Sequence, residues 1–313
     1  VTEPAQACYT ENLRDSYLIL PTVDGSLSRW FGFLMTALRF PRPAHFQVFL
    51  QKHRDFVNTA SVAEEIQLEG GFVNDVALAN GRVFRASPSR AEFVHAVLRL
   101  FERVGWTGAP RFIGVDSDGR EILSYIDGLV PWEPARLSAI QSDESLAGIA
   151  TLVRQFHDVT ADDALSGDWE VVCHNDLSPK NTVYAVEDGY PRPVAFIDWD
   201  LAAPGNRIHD IAHVCWQYLQ LGPGITDVSE AARRMRLICE AYGLSDGMRD
   251  DLVGVILWWQ DRCWRGIERG AAAGNESMQR LCDAGVPGQI RAAFNWVVHH
   301  RARLEKGLDG RIV

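Results

Sequence analysis

The chain has 313 residues, 47% hydrophobic and 23% charged, enough to bury one large core or two lobes, and this composition excludes a chain disordered throughout. Its 41 acidic residues against 31 basic ones give a net charge of −10, which argues against a general binder of nucleic acid or anionic membranes. The 6 cysteines show no CxxC spacing, so neither a zinc site nor a disulfide framework is indicated, and they read as reduced core thiols of a cytoplasmic protein.

Residues 1–66 carry no motif and are broken at Pro41-Arg42-Pro43. They form a segment of uncertain role, assigned loosely to the first lobe. The apolar stretch 30–35 lies between Arg29 and Arg39 and is too short to span a bilayer. The start Val1-Thr2-Glu3-Pro4 lacks the basic region of a signal peptide, so no membrane partner is expected.

From Ile66 onward the pattern predicts short strands over 66–69, 76–79 and 82–85, with Gly70-Gly71 after the first and Asn80-Gly81 between the last two. Asn-Gly between apolar runs signals a hairpin, because both turn positions favour positive φ. A helix follows. Ser89 and Glu92 make a capping-box pair, Phe93, Val97, Leu100, Phe101 and Val104 keep helical spacing, and Gly105 can end it. Strands at 111–115 and 121–126 flank Asp116-Ser117-Asp118-Gly119, and Asp127-Gly128 breaks the pattern. The order suits a small antiparallel sheet carrying one helix.

Beyond Gly128 the chain turns mainly helical. Leu146, Ile149, Ala150, Val153, Phe156 and His157 mark one amphipathic helix, and a short strand at 171–173 leads into His174-Asn175-Asp176-Leu177-Ser178-Pro179-Lys180-Asn181. A hairpin of strands 182–186 and 194–197, turning at Glu187-Asp188-Gly189, leads to Asp198-Trp199-Asp200. Helices are expected at about 210–220, 228–242, 247–270 and 288–306 from their i, i+3, i+4 spacing. The fold expectation is α+β with two lobes: 67–126, a small antiparallel-sheet lobe for nucleotide, and 127–313, a mainly helical lobe for catalysis and substrate.

The central motif has the parts that phosphoryl transfer needs: in-line positioning, metal ions on the phosphates, and a carboxylate to orient the attacking hydroxyl. Asp176 is the candidate base. Asn181 and Asp198 offer a neutral and an anionic oxygen to Mg²⁺, a hard ion that prefers oxygen, and the hairpin between them returns Asp198 toward Asn181.

The pattern HxDxxxxN at 174–181, the hydrophobic-Asp-x-Asp run at 197–200 and Asp210-Ile211-Ala212 resemble the aminoglycoside phosphotransferase and choline kinase group of the protein-kinase-like superfamily, over roughly residues 66–305. The resemblance implies a two-lobed protein-kinase-like fold. It implies Asp176 as catalytic base, Asn181 and Asp198 as Mg²⁺ ligands, and Asp210, with His174, as supports of the catalytic loop. Gly70-Gly71 resembles the turn over the ATP phosphates, and Arg85 stands where the family usually has a Lys on the phosphates. Glu92 is on the helix that usually supplies that residue's acidic partner. Ser124 and Ile126 resemble the hinge contacts to adenine, and Asp200 is a further candidate metal contact. ATP is the implied nucleotide, with GTP open, and the implied partner is a small molecule bearing a hydroxyl.

Each residue also has a structural reading. Asp176 and Asn181 suit Asx turns around Pro179, Glu92 suits the Ser89 cap, Asp210 suits a helix cap, and His157 suits a core histidine. Lys180 reads as a solvated loop lysine before it reads as a phosphate contact. Trp258, Trp259, Trp264 and Tyr218 suit a core as well as a substrate wall. Asp261, Glu268 and Asp283 suit exposed helix faces as well as an ammonium-binding surface. Two functions stand apart: an ATP- and Mg²⁺-dependent small-molecule kinase acting on a hydroxyl, an aminoglycoside or another antibiotic among the candidates, and a kinase-like immunity or binding protein that sequesters a toxin or antibiotic without turnover.

Overall fold

The computed structural model describes residues 65–67, 76–131, 140–187 and 190–310. The Gly70-Gly71 turn, residues 1–64 and the tip Asp188-Gly189 lie outside the described residues.

The first part is a five-stranded antiparallel sheet, β1 (Ile66–Gln67), β2 (Ala77–Ala79), β3 (Arg82–Ala86), β4 (Phe112–Val115) and β5 (Arg120–Ser124), in the order β1-β2-β3-β5-β4. The β2–β3 turn is Asn80-Gly81, with φ of 51° and 68°, as the dipeptide demands. Helix α1 (Ala91–Arg103) packs Val94, Val97, Leu98 and Phe101 inward and stops before Gly105, whose φ is 73°. Its start differs from the expected capping box. The N-cap position falls on Arg90 with no side-chain cap, Ser89 lies in the preceding turn, and Val104 is exposed beyond the helix.

The chain then crosses at Gly128. A Cβ there would meet Val183 Cγ1 at 2.5 Å and the Tyr184 carbonyl oxygen at 2.8 Å, so the close backbone approach needs glycine. Leu129 and Tyr184 seal the crossing with two backbone hydrogen bonds of 2.8 Å.

The second part holds helices α2 (Asp143–Thr160), α3 (Arg207–Tyr218), α4 (Val228–Tyr242), α5 (Asp246–Ala272), α6 (Glu276–Asp283) and α7 (Val286–Leu308). Two small antiparallel pairs accompany them: β6 (Val171–Cys173) with β9 (Ala203–Gly205), and β7 (Thr182–Glu187) with β8 (Tyr190–Phe196). Helix α6 is an addition to the sequence reading. It is short, is capped by Asn275 onto the Met278 N–H, and buries only Met278 and Leu281. The return strand β8 is longer than expected and includes Pro191 and Pro193, which a two-stranded ribbon tolerates on its open edge.

One aromatic cluster ties the two parts together. Trp199 is 2% exposed and meets Phe101 of α1 edge-on at 5.0 Å and Phe156 of α2 at 5.1 Å. Its indole N–H donates to the Phe196 carbonyl at 2.9 Å. Because Trp199 is locked in the core, the carboxylates on either side of it are fixed in place. Among the described residues no helix is long and apolar enough to cross a membrane.

Candidate active site

Strand β6 delivers the motif loop, and Asp210 of α3 holds its backbone. Asp210 is fully buried; its Oδ2 accepts the His174 N–H at 2.7 Å and its Oδ1 the Asn175 N–H at 2.9 Å. His157 of α2 adds a third contact through Nε2 at 3.1 Å, while its Nδ1 meets the Tyr242 hydroxyl at 2.7 Å. Burial would raise the Asp210 carboxyl, but the His157 hydrogen bond, the nearby imidazoles and the Asn175 N–H outweigh it and hold its pKa below the usual range. His157, Cys173 and Asp210 lie within 4.8 Å of one another, but the Cys173 thiol already donates to the Asn206 carbonyl, so the group reads as a brace.

His174 fixes the loop from the other side. Its Nε2 lies 3.1 Å from the Ile197 carbonyl, and its Nδ1 accepts the Asp176 N–H at 3.3 Å. Burial lowers its pKa, which suits the neutral ring with Nε2–H donating. Asn175 reaches the left-handed conformation, φ 64°, and anchors it by donating its side-chain amide to the Leu201 carbonyl at 3.1 Å.

Asp176, Asn181 and Asp198 converge as the hairpin predicts. Asn181 donates its amide to Asp176 Oδ2 at 2.8 Å and to the Asp176 carbonyl at 2.9 Å. The Ile197 N–H donates to the Asn181 carbonyl at 2.9 Å, closing the β7–β8 ribbon one residue before Asp198, which is left-handed at φ 63°. Burial raises the Asp176 pKa to about 7, opposed by Lys180 and the Asn181 hydrogen bond and assisted by Asp198 and Asp200.

The donor set suits a hard divalent cation. With its Nδ2 turned to Asp176, Asn181 has its carbonyl Oδ1 left for a ligand, and Asp198 keeps Oδ2 while Oδ1 faces Arg85. Both are oxygen donors of the kind Mg²⁺ takes.

Arg85 on β3 spans the two parts of the molecule. Its Nη1 lies 3.2 Å from Asp198 Oδ1, its Nη2 2.5 Å from Asp200 Oδ1, and its Nε 2.5 Å from Glu121 Oε1. Glu121 is 0% exposed and its other oxygen takes His95 at 2.8 Å. Burial would lower the arginine's pKa, but three carboxylates raise it further, so it stays charged.

Residues 163–237 match the model of the phosphotransferase enzyme family, a stretch that holds the motif loop, the hairpin, Asp198 and Asp210. The chain aligns along 88% of its length with 98% of an ethanolamine kinase from Plasmodium vivax, at a TM-score of 0.52 and 14% identity, a likeness of fold. The fold is kinase-like. It is also similar to the trifolitoxin immunity protein of Rhizobium leguminosarum bv. trifolii, 29% identical over 272 residues that cover 78% of this chain and 99% of that protein. A stretch of 35 residues is 86% identical to probable arabinosyltransferase B of Mycobacterium leprae, covering 11% of this chain and 3% of that protein.

Several expected placements change in this kinase-like fold. Glu92 is exposed on α1, and the acidic partner of Arg85 is Glu121, because the β3–β5 register sets Arg85 directly across from Glu121. Asp200, a further candidate metal contact, is buried with its Oδ1 against Arg85 Nη2 at 2.5 Å. At the hinge, Ser124 commits its N–H to the Arg111 carbonyl at 2.9 Å and its hydroxyl to the Arg111 N–H at 2.8 Å, while Ile126 makes no backbone hydrogen bond among the described residues. On α5, Asp261 is paired with Arg265 at 2.8 Å and Glu268 with Arg291 of α7. Asp283 of α6 accepts the Gln279 amide at 3.0 Å. Tyr218 and Trp259 are core, and Trp264 lies between the guanidiniums of Arg265 and Arg291, at 4.1 and 4.3 Å.

The sequence reading also misplaced Lys180. Instead of reaching into solvent it is 7% exposed, in the one-turn 3₁₀ helix Pro179–Asn181, and its Nζ has no hydrogen-bond partner among the described residues. A lysine in a Pro-containing loop gives no signal of burial.

Proposed function

We propose that the protein is a phosphotransferase that moves the γ-phosphoryl group of ATP to a hydroxyl of a small polar molecule, with Mg²⁺. The observation that carries this reading is the convergence of Asp176, Asn181 and Asp198 on a loop braced by Asp210. Asp176 receives the hydroxyl proton as the new oxygen–phosphorus bond forms and the bond to the β-phosphate oxygen breaks. A carboxylate with its pKa near 7 is matched to taking that proton at neutral pH.

Asn181 and Asp198 would hold Mg²⁺, which neutralises charge on the phosphates when bound. Arg85 positions Asp198 from the sheet side, and the Gly70-Gly71 turn and the Ile126 backbone would take the phosphates and the adenine edge. Glu92 has no part in the site.

The acceptor is the open part of the reading. Asp261 and Glu268 each already face an arginine, which favours a neutral hydroxyl compound over a polycationic aminoglycoside. A screen for ADP release with Mg·ATP and a panel of aminoglycosides, other hydroxylated antibiotics, choline and sugars tests the proposal. Acceptor-dependent ADP release supports it, and ADP release with none of these compounds opposes it.

The similarity to an immunity protein favours one alternative, in which a toxin or antibiotic is sequestered without turnover. The intact Asp176, Asn181 and Asp198 set weighs against it. Calorimetric titration with Mg·ATP separates the two, because sequestration requires no nucleotide binding.

A further inference from the structure

The catalytic loop contains one cation that the proposed function leaves without a role. Lys180 sits beside Asn181, is 7% exposed, and its ammonium has no hydrogen-bond partner among the described residues. A buried ammonium with three unmet donors costs several kcal/mol unless an anion answers it, so its retention at this point of the fold needs a reason.

Its surroundings say where it lies. The groups that act on it electrostatically are Asp176 and Asp198, the candidate base and metal ligand, and the Cys263 thiol of α5. Burial pushes that thiol's pKa up, so it stays protonated and gives the ammonium no anionic partner. Neither carboxylate is hydrogen-bonded to Nζ: Asp176 Oδ2 takes Asn181, and Asp198 Oδ1 takes Arg85. The ammonium therefore sits in the loop that carries the candidate base and a candidate metal ligand, bound to neither carboxylate.

We propose that Lys180 Nζ is the binding site for the equatorial oxygens of the phosphoryl group in transfer. The inference rests on the phosphotransferase reading and assigns that site's oxyanion donor. As the acceptor oxygen–phosphorus bond forms, the bond to the β-phosphate oxygen breaks, its electron pair leaves with the nucleoside diphosphate, and the hydroxyl proton passes to Asp176. Lys180 transfers neither proton nor electrons; its three N–H groups meet the charge spread over the phosphoryl oxygens. A point charge with rotatable donors suits a moving phosphoryl group better than the rigid fork of Arg85, whose donors are committed to Glu121, Asp198 and Asp200.

The test needs no knowledge of the acceptor. Mg·ADP with aluminium fluoride mimics the phosphoryl group in flight, and ADP retention on the full chain measures its trapping. Lys180→Met, which keeps the length of the side chain and removes its charge, should weaken trapping by about 100-fold. Mg·ADP alone should bind the variant as it binds wild type, which also reports that the variant is folded. Lys180→Gln serves the same purpose if the methionine variant loses its cooperative melt, and Lys180→Arg should restore part of the trapping. Equal trapping by wild type and the neutral variants overturns this inference alone, the result also expected if the ammonium served an anionic group of the acceptor. Failure of wild type to bind Mg·ADP overturns the phosphotransferase reading and this inference together.

Discussion

Asn181 donates its side-chain amide to Asp176 Oδ2 at 2.8 Å, and the same residue's carbonyl receives the Ile197 N–H at 2.9 Å. One carboxamide residue thus links the candidate base to the strand that ends at the candidate metal ligand. Replacing Asn181 with Ala should free the Asp176 carboxylate and remove a metal oxygen at once. The expected result is a large loss of turnover, with the Mg²⁺ concentration for half-maximal rate raised; a steady-state titration of rate against Mg²⁺ checks it.

The pH dependence follows from Asp176. Burial raises its pKa to about 7, and the base must be ionised to act, so kcat/KM should fall as pH drops through about 7. A rate profile from pH 5 to 9 checks this. An acid limb near the ordinary aspartate range would show that burial does not raise the pKa of the group that accepts the proton.

Stability should fall on the acid side for a separate reason. Burial lowers the folded pKa of His209 to about 4 and of His213 to about 3, below the histidine value in an unfolded chain. The unfolded state then binds more protons between those values, so the contribution is full above about pH 6.5 and is lost as pH falls toward 4. Each histidine contributes a slope of about 1.4 kcal/mol per pH unit in that window. Urea unfolding at pH 7.5, 6 and 5 measures it.

The Arg85 cluster gives a paired prediction. Glu121→Gln removes a carboxylate that is 0% exposed and engages both Arg85 and His95, and should destabilise the fold by about 3 kcal/mol. Glu92→Ala touches an exposed side chain and should stay within about 0.5 kcal/mol of wild type. Thermal or urea melts of the two variants decide which glutamate supports Arg85.

What the sequence made legible, and what it did not, divides along contact range. The Asn80-Gly81 turn, the strand at Val171–Cys173 and the hairpin that brings Asp198 back to Asn181 are local patterns, and local chemistry produces them. The Glu92 assignment failed because the partner of Arg85 is set by the register of β3 on β5, which no spacing along the chain encodes. Lys180 failed because nothing in a Pro-containing loop signals that its lysine is buried. On α5 and α6, Asp261 and Asp283 meet partners one helical turn away, which helix spacing encodes, whereas Glu268 meets Arg291 of α7 only through packing.

Gly128 offers a test of the crossing between the two parts. A Cβ would meet Val183 and the Tyr184 backbone, so Gly128→Ala should cost about 1–3 kcal/mol and loosen the Leu129–Tyr184 bridge. Hydrogen exchange at the Leu129 and Tyr184 amides reads the loosening directly.

The central claim is that Asp176 accepts the hydroxyl proton during phosphoryl transfer. The most direct measurement is acceptor-dependent phosphoryl transfer by Asp176→Asn, with Mg·ATP affinity determined on the same sample. The account predicts a fall in turnover of about 10³-fold or more with nucleotide affinity retained. Turnover near the wild-type rate in that variant would contradict it.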